Sequence, residues 1–407
     1  MGVRIYRFLL SGYHYGLAWV GALWFGFPSR RLRVIGITGT KGKTTTVMLL
    51  WHIFSYAKKN SAGLSSATVC VGQSCAKNTT GNTMPGRFFI QKFLWRAARA
   101  GCVYAFVEVT SQGVVQHRHR GITWHAGAFL GIHPEHIESH GSFEKYRDAK
   151  ADFFRLIVRT RHDRARLFVN RDDAEADVFI RAAAETPVII FSPADVSDGT
   201  VPATLPGSFN KINIACARAI ARTEGISDET IMAALRAFPG VDGRANIIVR
   251  EPFAVIVDYA HTPESLENIY QLAHELKGKS SSRVIGVLGS AGGGRDEWKR
   301  SVMGAVAARF CDVVIFTNED PYHEDPEKII DSLGAGFEKE RLAHNRGQVC
   351  EKILDRKAAL ARAISLARPG DVVVATGKGS EQWIHGPRGA REPWSERETI
   401  VSLLKKN

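Results

Sequence analysis

Beyond residue 33, short runs of β-branched and other apolar residues alternate with amphipathic stretches, the pattern of parallel strands joined by crossover helices. Val34 to Thr38, Cys102 to Val109, Ala126 to Leu130, Leu167 to Asn170 and Val188 to Phe191 read as strands, with Lys43 to Tyr56 and Pro85 to Ala100 as helices among them. The turn residues of Phe238-Pro239-Gly240-Val241-Asp242-Gly243 interrupt a helical segment and mark a domain boundary. Downstream, Ala254 to Val257, Val284 to Leu288, Val313 to Phe316 and Val372 to Ala375 are each followed by a helical stretch, which predicts a second, smaller doubly wound sheet. The expected organisation is a leader over residues 1–33, a central α/β domain over 34–240 and a C-terminal one over 241–407.

The leader has a different pattern. From Ile5 to Phe27 it is apolar and aromatic, broken by Arg7, Ser11 and His14 and stopped by Pro28-Ser29-Arg30-Arg31. Its length is near the roughly 20 residues of a spanning helix. Trp19, Trp24, Tyr6, Tyr13 and Tyr15 are residue types that favour membrane interfaces. No small-residue cleavage site follows, which argues against a removable signal peptide. Three placements stay open for residues 5–27: packed on the body of the protein, lying at a membrane surface, or crossing the bilayer.

Composition adds bounds. The 407 residues, 44% hydrophobic, suffice for two or three domains. The six cysteines form no Cys-x-x-Cys pair, so neither a zinc site nor a disulfide framework is expected, and a reducing cytosol is the natural setting. A net charge of +13 suits nucleic acid, an anionic membrane or a polyphosphate-bearing substrate without choosing among them.

The chemistry begins where the strand Val34 to Thr38 runs into Gly39-Thr40-Lys41-Gly42-Lys43-Thr44-Thr45 and then an apolar helix. Glycines let backbone N–H groups approach phosphates, the helix start presents positive charge, and Lys43 adds an ammonium. Thr44 is placed to hold magnesium. The strict phosphate-loop spelling is not met, because position 37 is Ile and the nearest earlier glycine is Gly36.

Thr38 to Thr45 resembles the ATP loop of the Mur ligase family, the ligases that build the peptide of bacterial peptidoglycan. The resemblance implies a P-loop central domain with a parallel sheet, a Rossmann-like C-terminal domain, and ATP and Mg²⁺ as cofactors. Glu108, in Val107-Glu108-Val109-Thr110-Ser111-Gln112-Gly113, occupies the place of a strand-end glutamate that binds a second magnesium. Glu135-His136-Ile137-Glu138-Ser139-His140-Gly141, with Lys150 fourteen residues after His136, matches the acidic-His motif and a lysine carbamylated in the family. Lys43, His136 and Lys150 are thereby the catalytic candidates, and Thr44, Glu108, His136 and Lys150 the metal candidates. Gly207-Ser208-Phe209-Asn210-Lys211-Ile212-Asn213 resembles the segment whose Asn210 and Asn213 would read adenine. Gly243-Arg244 and Val257-Asp258-Tyr259-Ala260-His261-Thr262-Pro263 match the start of the C-terminal domain, with Asp258 on the ribose and Arg244 on phosphate.

Gly292-Gly293-Gly294-Arg295-Asp296, Thr317-Asn318-Glu319-Asp320-Pro321-Tyr322 and Gly377-Lys378-Gly379-Ser380-Glu381 resemble the MurE-type members, which add the third residue of the stem peptide. Arg295, Asp320, Tyr322 and Glu381 are the candidates for the amino-acid pocket, with Glu381 facing an ammonium group. Thr83, Arg87 and Ser111 are the candidates for the acceptor.

Departures from the pattern bear on the substrates. The loop opens so early that the uridine-nucleotide-binding domain of MurE-type members is expected to be missing. Their Asp-Asn-Pro-Arg, which marks diaminopimelate selection, reads Glu319-Asp320-Pro321-Tyr322, and a tyrosine cannot form the bidentate clamp of an arginine. Thr-Thr-Pro reads Thr83-Met84-Pro85, and Gly131 stands where an Asn is usual.

The expected activity is therefore ATP-dependent amide-bond formation through an acyl phosphate, joining an amino acid to a muramoyl peptide in cell-wall biogenesis, and so serving cell shape and division. The expected protein is a cytoplasmic monomer, with membrane contact through residues 5–27 left open. A lipid-linked or polymeric acceptor, as in poly-γ-glutamate synthesis, is the alternative, followed by a folylpolyglutamate synthetase-like activity. A nucleic-acid-stimulated ATPase rests on charge and loop alone, without a stacking stripe of aromatic and basic residues, and no nucleic-acid partner is expected.

Overall fold

The structure is a computed structural model describing residues 2–135, 137–160, 165–279, 281–294, 296–344 and 347–405, with side chains from residue 9 onward. The chain forms two units, Met1–Pro202 with Ser208–Phe238, and Ala203–Gly207 with Pro239–Asn407.

The first unit is built on an eight-stranded sheet. Its strands are β1 (Arg33–Thr38), β2 (Ser61–Leu64), β3 (Thr68–Val71), β4 (Ser74–Lys77), β5 (Tyr104–Glu108), β6 (Trp124–Phe129), β7 (Arg166–Asn170) and β8 (Val188–Phe191), in the order β4-β3-β2-β5-β1-β6-β7-β8. From β2 through β8 neighbouring strands are parallel, and β3 and β4 add an antiparallel edge hairpin. The central β1 is apolar from Val34 to Ile37 because helices cover both its faces. On one face the helix Lys43–Tyr56 sends Phe54 onto Tyr104 and Phe106. On the other the helix Phe143–Thr160 lays Phe153 against Trp124, and a Cβ at Gly36 would fall on those two rings.

The expected strands and helices are found to within two residues at each end. The interior strand β2 and the edge hairpin are not among the expected strands, and with the hairpin comes a correction: Cys70 and Cys75, expected to stay reduced, face each other across β3 and β4 with Cα atoms 4.1 Å apart and are joined by a disulfide. Their separation of five residues carries no recognisable spacing motif, and only the hairpin turn brings them opposite one another.

The leader forms a helix, Gly2–Trp24. Its small residues Ala18 and Ala22 are buried, with Gly121 against them, and Gly21 lies on the helix Arg87–Arg99. Among the described residues no helix is long and apolar enough to cross a membrane.

The second unit carries β9 (Asn246–Val249), β10 (Ala254–Val257), β11 (Val284–Leu288), β12 (Val313–Phe316), β13 (Val349–Lys352) and β14 (Val372–Ala375), in the order β13-β12-β11-β14-β10-β9 with β9 antiparallel. Two edge strands, β9 and β13, add to the four expected. The segment after β14 is not directly helical as expected: it forms the hairpin of β15 (Trp383–His385) and β16 (Arg391–Pro393) before the helix Glu396–Leu404. Loops after β10, β11, β12 and β14 gather at one sheet edge, the usual place for a site in an open α/β sheet.

Gly36→Ala should destabilise the protein by about 1–3 kcal/mol, because the added methyl overpacks a filled core. Urea unfolding measures it, and combining the change with Phe153→Leu should recover part of the loss.

Candidate functional site

In the first unit the relevant residues follow four adjacent strands: Ser66 after β2, Glu108 at the end of β5, the loop Gly39 to Thr45 after β1, and Gly131 to Glu135 after β6. Gly42 caps the helix Lys43–Tyr56 with φ of 82°, and the amide of Asn213 lies where its Cβ would be. Only glycine fits such a position without strain. Lys43 Nζ donates to the carbonyls of Gly39 (2.8 Å) and Thr40 (2.7 Å), which holds its ammonium over the loop. Thr40 ties the loop to the next strand: its N–H donates to Gly131 O, its Oγ1 accepts from His133 N, and its hydroxyl lies 3.0 Å from that of Tyr146.

Thr44, Ser66 and Glu108 form a hydrogen-bonded chain. Thr44 Oγ1 is 2.9 Å from Ser66 Oγ, and Ser66 N donates to Glu108 Oε1 at 2.7 Å. Two hydroxyls and a buried carboxylate are an all-oxygen set of the kind Mg²⁺ prefers. No group of three or more His, Cys, Asp or Glu among the described residues is placed to hold a metal. His136 lies outside the described residues.

Lys150 comes up beneath the same loop from the helix Phe143–Thr160. It is 2% exposed, donates to Gly39 O at 2.9 Å and lies 4.8 Å from the centre of the Tyr146 ring. Burial, and then the charges of Lys43 and Lys41, push its pKa well below the usual lysine value, with Glu135 acting in the opposite direction. Glu135 is itself buried, 3.5 Å from Lys41 Nζ. Lys150 is therefore a buried amine that holds its proton less tightly than the surface lysine its spacing alone would suggest.

Asn210 and Asn213 are both buried. Asn213 Nδ2 donates to Asn210 Oδ1 (2.9 Å), and Asn213 Oδ1 accepts from Thr46 Oγ1 (3.2 Å), so the pair braces the start of the loop helix. Thr45 is buried within the same helix start. Of the acceptor candidates, Thr83 is half-buried in the segment before the helix Arg87–Arg99, and Ser111 is buried with its hydroxyl 3.1 Å from His140 Nε2. Arg87 donates to the carbonyl of Gln116. Burial and the neighbouring Arg118 lower its pKa, and burial followed by the charges of Arg87 and Arg118 lowers that of His14. Arg118 and His117 escaped the sequence reading because no motif named them; a run of alternating His and Arg from 117 to 120 was the available signal.

In the second unit both Asp258 oxygens accept backbone N–H groups, Oδ2 from Ala245 and Oδ1 from Ala260, each at 2.6 Å. The Arg244 guanidinium lies 4.3 Å from the centre of the Tyr259 ring. Asp320 and Glu381 are brought together by a residue not singled out, Lys378, which is fully buried and donates to Asp320 Oδ1 (2.9 Å) and Glu381 Oε2 (2.6 Å). Tyr259 OH donates to the other Glu381 oxygen at 3.1 Å. Glu381 thus already faces an ammonium, that of the chain itself. Glu319 is buried beside them, and desolvation followed by the charge of Asp320 raises its pKa to about 7. Tyr322 stacks on His385 with ring centres 5.3 Å apart. Arg295 lies outside the described residues.

Both units have counterparts among known proteins. Residues 37–204 match the family model of the Mur ligase middle domain, and residues 243–379 that of the Mur ligase glutamate ligase domain. The chain is 34% identical to a UDP-N-acetylmuramyl-tripeptide synthetase of Roseiflexus sp. (strain RS-1), over 93% of this chain and 80% of that protein. It is 32% identical to a UDP-N-acetylmuramoyl-L-alanyl-D-glutamate–2,6-diaminopimelate ligase of Geobacillus kaustophilus, over 92% and 79%. A solved structure of a ligase of the latter name superposes with a TM-score of 0.59 at 25% identity, covering 92% of this chain and 78% of the other.

The buried amine has a measurable cost. With its pKa lowered on folding, Lys150 binds its proton more tightly in the unfolded chain, so its penalty is present at neutral pH and fades as pH rises towards the usual lysine value. Lys150→Met should therefore be more stable than the parent at pH 7 by about 1–3 kcal/mol. Urea titrations at neutral and at alkaline pH should show the gap narrowing. Lys378→Met should do the reverse, losing about 3–5 kcal/mol because two carboxylates are left without their cation.

Proposed function

The chain belongs to the Mur ligase family of ATP-dependent amide-bond ligases, and from that membership we propose that it joins an amino acid to the carboxylate of a muramoyl peptide in peptidoglycan precursor synthesis. The observation that carries this reading is the convergence on one loop of the Lys43 ammonium, the Thr44–Ser66–Glu108 chain and the buried amine of Lys150.

In this reading the backbone of Gly39 to Thr45 cradles the ATP phosphates. Lys43, already fixed by two carbonyls, steadies the γ-phosphoryl group while the acceptor carboxylate takes it to form an acyl phosphate, and the amino group then displaces phosphate. Mg²⁺, when bound, neutralises phosphate charge and favours transfer; Thr44, Glu108, His136 and Lys150 would hold it. Lys150 fits that set only after its amine, in the unprotonated form that burial favours, adds CO₂, forming an N–C bond and losing a proton to water, which turns a buried base into an oxygen donor. Asn210 and Asn213 serve by holding the loop helix at the nucleotide. Asp258, held by two N–H donors, would accept from ribose hydroxyls, and Arg244 would meet phosphate charge. Asp320, Tyr322 and Glu381 border the amino-acid pocket, and Thr83, Arg87 and Ser111 serve the acceptor. ATP and a soluble amino acid place the reaction in the cytoplasm. The carrier on the acceptor is uridine nucleotide, as in the relatives' names, or lipid, which the apolar leader helix favours.

Phosphate release should require ATP, Mg²⁺, one amino acid from a panel and a muramoyl peptide, offered on uridine nucleotide and on lipid. Lys43→Ala should lower it by about a hundredfold or more, the scale of removing a charge aimed at the transition state; amino-acid-dependent turnover at the parental rate would refute the scheme. Stripping CO₂ from the buffer should silence the parent and added bicarbonate restore it, with Lys150→Arg unresponsive to either.

A further inference from the structure

The leader helix Gly2–Trp24 is packed on one side only. Counting from Leu9 at 100° per residue, Tyr13, Val20, Leu23 and Trp24 fall on one face, and Ala18, Ala22 and Gly21 on the opposite one. The structure buries the small face and exposes the large one: Trp24 is 78% exposed, Leu23 67%, Leu9 64% and Tyr13 60%. Burying alanines while leaving tryptophan and leucine in water is the reverse of what a free-standing soluble helix does. No charged residue lies between Leu9 and Phe27.

Cations border this face through aromatic contacts. Trp19 packs on Phe27, over which the Arg30 guanidinium sits at 4.4 Å. Phe25 packs on Trp95, over which Arg99 sits at 4.9 Å. The charge distribution along the chain points the same way. Glu108 is the first acidic residue; of the 54 Lys and Arg, 14 precede it, and the remaining 40 are balanced by the 41 Asp and Glu. The whole net charge of +13 thus belongs to the segment that contains this helix and the Arg87–Arg99 helix against it.

We propose that the exposed face of the helix Gly2–Trp24 docks the enzyme on an anionic lipid bilayer, its aromatic and aliphatic side chains entering the interface in the plane of the membrane while Arg30, Arg31, Arg96 and Arg99 meet lipid phosphates. Aromatic side chains and arginines suit that depth, one end apolar and the other wet. A helix clamped to the body by its small face lies on the surface and does not cross it. Docking would concentrate the enzyme where a lipid-linked acceptor resides, but it does not depend on the ligase reading.

The test is flotation of the full-length protein with vesicles of phosphatidylcholine alone or mixed with phosphatidylglycerol. Binding is expected to the anionic vesicles, weaker in high salt, with a blue shift of tryptophan emission. The double change Leu23→Glu with Trp24→Glu, on exposed positions, should lower binding by about tenfold or more and leave ATP-dependent phosphate release and the melting temperature unchanged. Absence of flotation with anionic vesicles overturns the proposal. So does flotation that the double variant retains, or a dimer, read by light scattering, that the double variant dissolves. Ligase activity is measured separately in solution, so failure of docking and failure of the ligase reading are distinguishable.

Discussion

Lys41, Lys43 and Lys150 crowd one loop, and the first unit is organised around making that crowding tolerable. Gly39 presents its carbonyl to both Lys43 and Lys150. Burial and the charges of Lys43 and Lys41 shift Lys150 towards its unprotonated form, and Glu135 opposes part of that shift. Such an assembly costs stability when the protein stands alone and is relieved by anything carrying several negative charges, which is the physical definition of a polyphosphate site. Thr40, Tyr146, Asn213 and Gly42 serve it by fixing the loop from three directions.

The second unit solves the opposite problem. Asp320 and Glu319 are buried and Glu381 stays half-exposed beside them; Lys378 pairs with Asp320 and Glu381, and the pKa of Glu319 is raised to about 7. A parallel buried pair, Arg356 with Glu396, donates at 2.7 and 2.9 Å and anchors the loop after β12 through the carbonyl of Asn318. A substrate ammonium arriving near Glu381 would share that carboxylate with Lys378, so the electrostatics of amino-acid choice depend on the lysine as much as on the acids.

Strands with both faces covered, such as β1, were legible because they read as unbroken apolar runs, and the loop after β1 because its residue types are dictated by backbone geometry. The edge strands β3, β4, β9 and β13 and the buried interior strand β2 were not: they are four residues each, β4 is exposed throughout and β2 reads Ser-Ala-Gly-Leu, so neither length, alternation nor a β-branched run marks them. Glu108 and Lys150 were found by spacing. Ser66 was not, because a serine two residues past a short strand has no signature until Glu108 accepts from its N–H.

The amino-acid sequence by itself determined the α/β class, the phosphate loop and the family, because periodicity and glycine placement are local properties of the chain. It also determined that the net positive charge belongs to the residues preceding Glu108. Only the tertiary structure decided that Lys150 is a buried amine with a lowered pKa, that the charge partner of Glu381 is Lys378, that Cys70 meets Cys75, and which face of the leader helix is left in water. Each of those depends on what folding places within a few ångströms, and desolvation and pairing are properties of that neighbourhood, not of the residue.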